Sequence, residues 1–127
     1  MDRSYVLSAF GYAIIGLLLG IYMAASQDHG QLVTHAHIML VGFVVSFIYG
    51  LCHKLWISDS GSTLARVQFY VHHASSIFLG IGLFLLYGNY VLLETIDPYL
   101  AIASIAVLIA LIMMTVILVQ SKEKTVT

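Results

Sequence analysis

Four histidines lie inside apolar runs of this chain. His35 and His37 occur in Thr34-His35-Ala36-His37-Ile38-Met39-Leu40-Val41-Gly42-Phe43, and His72-His73 occur in the next run. Imidazole is costly in hydrocarbon, and an ionisable residue within a membrane segment is by default a candidate functional site. Its ring nitrogens suit ligation of a metal ion or of haem iron. The candidate ligands are His37, His72 and His35, with His73 as a further cofactor contact. The competing role for each is structural: a buried ring hydrogen-bonded to Ser, Thr or a carbonyl, although several such rings are an expensive way to hold a small bundle together. His29, in a polar break, is expected to be solvated, and His53, beside Lys54, to be interfacial. Met39, Met113 and Met114 are expected in the core or facing lipid rather than as axial ligands.

The surrounding residue types narrow the chemistry. No Asp or Glu lies within the apolar runs. That argues against a di-iron carboxylate site, which needs inward glutamates, and against a carboxylate proton relay. Zinc takes about four N, S or O ligands, and neither thiolate nor carboxylate accompanies these rings. Haem fits better, its iron held by axial imidazoles. The sequence has no CxxCH, which excludes covalent c-type attachment and leaves haem b, with copper as the alternative metal. Gln27, Gln31, a backbone amide or water would meet outward haem propionates. The single cysteine, Cys52, forms no intrachain disulfide and reads as a small packing residue.

The elements that must position these rings are transmembrane helices. The chain of 127 residues is 61% hydrophobic and 9% charged, whereas soluble domains carry about 25% charged residues. A spanning helix needs about 20 mainly apolar residues. Four such runs cover about residues 5–25, 32–55, 66–88 and 98–119. They predict an all-α integral membrane four-helix bundle, one domain with no soluble part. No secretory signal fits the first run, which is long enough to span. Ser58 to Thr63 has turn composition, and Pro98 suits a first helical turn.

Four spans place both termini and the middle loop on one side. That side carries every basic residue, Arg3, Lys54, Arg66, Lys122 and Lys124, while Asp28, Glu94 and Asp97 lie on the other. The positive-inside rule then puts both termini in the cytoplasm of a bacterial-type inner membrane. Tyr5, Tyr22, Trp56, Tyr90 and Tyr99 fall near span ends, where aromatic belts form. The net charge of −1 gives no nucleic-acid signal.

Helical geometry separates the histidines. Residues two apart are about 200° apart on a helix, so His35 and His37 point to nearly opposite faces. At ~1.5 Å per residue, His37 and His72 differ in depth by ~15 Å, so one ion cannot join them within one subunit without tilting. Gly42, Ser46 and Gly50 repeat every four residues, as do Gly16 and Gly20, and Gly80 and Gly82 thin the third span. Such positions serve close helix packing or leave room for a flat macrocycle.

The stretch from Thr34 to Phe43, continuing to Tyr49-Gly50-Leu51, resembles the second helix of haem-copper oxidase subunit I. It is closest to the nitric-oxide-reductase and cbb3-type branches and to short cytochrome-oxidase-like membrane proteins. It also resembles a haem-containing membrane family associated with nitric oxide tolerance. Gln68-Phe69-Tyr70-Val71-His72-His73 resembles the aromatic-rich third helix of the short oxidase-like proteins, which can carry a histidine. The resemblance covers roughly residues 32–88 and implies that a histidine near the start of span two is an axial haem ligand. His37 is the better match, because Val41-Gly42-Phe43 follows it in register; His35 is the second choice. The oxidase subunit groups its many helices in arcs of four, and this chain has one arc. It lacks the helices that bring the copper ligands, the cross-linked tyrosine and the second low-spin ligand.

The resemblance therefore implies a b-type haem-binding membrane protein acting in electron transfer or in binding a diatomic gas, nitric oxide or dioxygen. If it is an enzyme, it is a haem-dependent oxidoreductase. A homo-oligomer, dimer or trimer, would mimic the missing arcs, and two copies of His37 at equal depth would sandwich a shared haem. Membrane lipid and a respiratory redox partner are the expected surroundings. Two alternatives follow from the same residues. One is a copper- or zinc-handling protein with His29, His35 and His37 at its entrance. The other is a structural subunit of a respiratory complex whose histidines are merely satisfied.

Overall fold

The structure, a computed structural model, describes residues 1–121. The charged tail Lys122-Glu123-Lys124, used above in the charge argument, lies outside the described residues. The fold is all-helical. Four helices, α1 (Asp2–Ser26), α2 (Leu32–Leu55), α3 (Thr63–Tyr87) and α4 (Leu93–Gln120), are each long and apolar enough to cross a membrane. In hydrocarbon every backbone group must be satisfied within the segment, and helices are the form that achieves this for such runs. The chain is thus a multi-pass membrane protein by helix length and composition.

Local chemistry sets the helix ends. Gln27 terminates α1 in the left-handed region at φ 59°, and its amide donates back to the Ala24 carbonyl at 2.9 Å. Ser62 caps α3, its Oγ accepting from the Ala65 N–H at 3.1 Å, the expected N-cap geometry. Helix α4 begins at Leu93, five residues before the expected start. Pro98 therefore sits in its second turn, and the only backbone partner it forgoes is the Glu94 carbonyl. Helix α2 widens. It is α-helical to His37, π-helical over Ile38–Val44, and α-helical again from Val45.

Burial is inverted relative to a water-soluble domain. The fully buried side chains include Tyr5, His53, His72, Gln68, Thr34 and Ser46, while Leu18 is 61% exposed, Ile21 65% and Phe78 71%. Lipid is as apolar as leucine, so aliphatic groups gain nothing by turning inward, whereas polar groups must find one another. Tyr5 accordingly lies in the core and not in an aromatic belt; Tyr22, Trp56, Tyr90 and Tyr99 are exposed.

Two antiparallel hairpins, α1–α2 and α3–α4, build the bundle, and hydrogen bonds lock them together. Gln31 donates to the Phe84 carbonyl at 2.9 Å and accepts from Thr34 Oγ1 at 2.7 Å. The Tyr5 hydroxyl donates to Gln68 Oε1, and Gln68 Nε2 donates to the Ala110 carbonyl at 3.2 Å. One glutamine thus links α1, α3 and α4. Glycines allow the close approaches. A Cβ on Gly42 would lie 2.7 Å from Tyr12 Cγ, and one on Gly20 would lie 3.1 Å from His35 Cε1.

Candidate functional site: a cleft beside His37 and a buried ring cluster

The imidazoles fall into two separate environments. His37 lines an apolar cleft of about 300 Å³ between α1, α2 and α3, shared with Tyr12, Gly42, Ser76 and Gly80. Its Nδ1 lies 2.9 Å from the Val33 carbonyl, one turn back on the same helix. A carbonyl can only accept, so Nδ1 carries the hydrogen, and in the neutral ring Nε2 keeps its lone pair. This is the arrangement that ligating histidines use, the second nitrogen donating to a carbonyl to fix tautomer and orientation. The π-helical segment starts at the next residue, and such segments recur at functional sites.

His35 turns the other way, as the helical angle predicts. Its Nδ1 lies 2.7 Å from the Gly16 carbonyl, and its ring packs over Gly20. It fastens α2 to α1. Gly16, Gly20 and Gly42 make room for Met39, His35 and Tyr12 respectively, so these small residues serve packing. Gly80 differs: it lines the cleft, and a Cβ there would meet nothing closer than Ile38 Cγ1 at 3.8 Å.

Deeper in the bundle, His72 and His73 belong to a packed cluster of rings. His72 is fully buried, with Nε2 2.7 Å from Ser46 Oγ. Its ring meets Tyr49 edge-on at 4.9 Å between centroids and His73 at 5.0 Å. His73 Nδ1 pairs with the Tyr12 hydroxyl at 2.8 Å, and its ring lies 4.4 Å from that of Phe69. His53 is buried as well, stacked on Tyr5 at 5.6 Å, with Nδ1 2.9 Å from Ser60 Oγ. It is therefore packed within the bundle at the loop end of α2. His29 is exposed, as expected for a loop.

The structure thus does not bring His35, His37 and His72 together. Among the described residues, no group of three or more His, Cys, Asp or Glu side chains is placed to hold a metal ion. The proposed entrance of His29, His35 and His37 does not form one. Gln27 and Gln31, expected at the propionates, use their amides on the Ala24 and Phe84 carbonyls. Met114 packs in the core and Met39 over Gly16, neither at the cleft.

Three buried polar atoms have no hydrogen-bond partner among the described residues: His72 Nδ1, His73 Nε2 and Ser76 Oγ. Of these residues, Ser76 is the one that lines the cleft. A larger groove of about 650 Å³ between α3 and α4 contains no histidine. His37, Tyr12 and Ser76 are therefore the polar residues that line the cleft beside His37.

The chain matches no known protein family, no curated protein and no solved structure.

Proposed function

We propose that this chain is a b-type haem-binding membrane protein with His37 Nε2 as its axial ligand and a diatomic gas, nitric oxide or dioxygen, as the species it handles. The observation that carries the reading is the His37 Nδ1 contact to the Val33 carbonyl beside an apolar cleft. It leaves one ligating nitrogen at a site lined almost wholly by apolar side chains. The residues fit the group in donor type, tautomer and apolar lining, while a cleft of about 300 Å³ encloses it only in part. His37 would hold the group through Nε2, and haem held there would supply an iron able to bind a diatomic gas, with the polarity of the surrounding pocket deciding what binds.

The chain's own contribution is orientation and dryness. Val33 fixes the ring of His37, Gly80 leaves the α3 wall open, and Ile15, Leu19 and Phe84 exclude water. No second imidazole borders the cleft, which favours gas binding over a bis-histidine electron carrier within one copy. The second reading is electron transfer by a homo-oligomer. Its support is size: about 300 Å³ is the lower end of the ~300–1,000 Å³ typical of ligand pockets. A second copy that covers the remainder would also bring a second His37. Arg3, Lys54 and Arg66, on the side of the bundle opposite Asp28, support a cytoplasmic-membrane location with both termini inside.

The test is the optical spectrum of protein purified in mild detergent from haem-replete cells, oxidised and dithionite-reduced, with a pyridine haemochrome assay. A five-coordinate spectrum that shifts with carbon monoxide and is lost in His37→Ala supports gas binding. A six-coordinate spectrum that depends on oligomer integrity supports electron transfer. Absence of a Soret band, or its retention in His37→Ala, overturns the assignment.

A further inference from the structure

A third recess lies at the end of the bundle that carries the basic residues. Helices α1 and α2 leave a groove of about 370 Å³ there, lined by no histidine and separate from the cleft beside His37. Its floor is the buried Gly50. A Cβ on Gly50 would lie 3.0 Å from Val6 Cγ2 and 3.2 Å from the Asp2 carbonyl oxygen, so the glycine lets the two backbones close behind the groove. Its apolar walls are Val6 and Leu7 on α1 and Leu51 on α2, and the two leucines are exposed. Asp2, Arg3 and Lys54 complete the lining. The helices are antiparallel, so Arg3 and Lys54 both lie about one turn nearer the end of the bundle than Leu7 and Leu51. The lining therefore passes from aliphatic to cationic within one turn, and it does so on both helices.

Charge is concentrated at this groove. Arg3, Lys54 and Arg66 are the lysines and arginines among the described residues, and two of the three border it. Arg3 and Lys54 are both exposed. The acid in the lining, Asp2, accepts the Arg3 backbone N–H at 2.8 Å and lies in the first turn of α1, where a carboxylate complements the helix dipole. Two cations against one carboxylate leave the rim net positive. Long basic side chains lay their stems on apolar surface and hold their charges at the level of the lipid head groups. Basic pockets between membrane helices bind anionic head groups, and the guanidinium fork matches phosphate geometry. A free phosphate ion would meet the charges but leave the leucine walls unused. A zwitterionic lipid would cover those walls but gain little from the charges.

We propose that this groove is a binding site for one phospholipid with an anionic head group, its phosphate at Arg3 and Lys54 and an acyl chain along Val6, Leu7 and Leu51. The inference is independent of the haem reading at His37.

The experiment uses the full chain in a neutral detergent, titrated with dimyristoyl phosphatidylglycerol, with dimyristoyl phosphatidylcholine, or with phosphatidylglycerol against inorganic phosphate. Native mass spectrometry reads the lipid-bound and lipid-free masses. The wild type is expected to retain one phosphatidylglycerol in preference to phosphatidylcholine. Arg3→Gln and Lys54→Gln should each weaken that retention about fivefold, and the double variant about 30-fold, the worth of juxtamembrane basic residues. Arg66→Gln, at the same end of the bundle but outside the groove, should keep the wild-type preference. Equal retention of the two lipids by the wild type overturns the proposal, and this comparison needs no variant to fold. An equal loss in Arg66→Gln overturns it as well, because the attraction would then belong to the whole surface. So does inorganic phosphate that competes as well as the lipid, because the apolar walls would then play no part.

Discussion

Replacing Gly42 by alanine tests how the cleft and the ring cluster are joined. An added Cβ would lie 2.7 Å from Tyr12 Cγ, 2.8 Å from Cδ1 and 2.9 Å from Cβ. These atoms are the base of the tyrosine and cannot swing aside, so α1 and α2 must separate by several tenths of an ångström or Tyr12 must leave its rotamer. Overpacking costs typically ~1–3 kcal/mol, and three simultaneous overlaps place this case near ~3. Replacing a helical glycine by alanine returns up to ~1 kcal/mol. The expected net destabilisation is therefore about 2 kcal/mol. Gly11, whose added Cβ would meet nothing within 4 Å, provides the control, and Gly11→Ala should be neutral or stabilising by up to ~1 kcal/mol. Equilibrium unfolding in mixed micelles measures both. Tyr12→Ala in the Gly42→Ala background should recover part of the loss. Equal stability of the two glycine variants would refute the close approach of α1 and α2 at this level.

Two further outcomes follow from the hydrogen bonds that join the hairpins. A double-mutant cycle on Ser46→Ala and His72→Phe should show a coupling of about 0.6 kcal/mol, the average for hydrogen bonds between membrane helices, and at most about 1.7, whereas strict additivity would mean that the 2.7 Å contact contributes nothing. Gln31→Leu removes both its donation to Phe84 and the acceptor of the buried Thr34 hydroxyl; it should cost about 1–3 kcal/mol and raise hydrogen exchange at the Leu32 end of α2, and an unchanged exchange profile would contradict it.

The four spans were legible because their signal is length and apolar content, which need no knowledge of neighbours. The divergence of His35 and His37 was legible for a similar reason, since it follows from helical angle alone. The polar core was less so. Gln68, His72 and Ser76 recur every four residues on α3, and Tyr5 and Tyr12 recur at seven on α1. That stripe carries the signal for the ring cluster, but an amide or hydroxyl in an apolar run stands out less than an imidazole, because it is cheaper to bury. Tyr5 was misread because proximity to a span end suggests a lipid-facing belt, whereas its hydroxyl's partner on α3 draws it inward. The π-helical segment was not legible. Its residues, Ile38 to Val44, are ordinary apolar helix formers apart from Gly42 and carry no mark of altered winding. The early start of α4 was masked by Glu94 and Asp97, whose charges read as loop.

The links among Tyr5, Gln68, Ser46, His72, Tyr12, His73, Gln31 and Phe84 all pass between the first hairpin and the second. Each hairpin satisfies its own backbone, so each can reside in a bilayer by itself, and what the two share is a set of matched donors and acceptors. The chain is in effect a heterodimer written on one polypeptide. The segment from Trp56 to Ser62 fixes the local concentration of one half around the other, and it also packs, with Ile57 fully buried and Ser60 paired to His53. A gene cut after Ser60, which leaves Ile57 and Ser60 with the first hairpin, would then encode two fragments able to find each other in the membrane. Their pairing would be specific because any sliding of one hairpin against the other would break the matched contacts together.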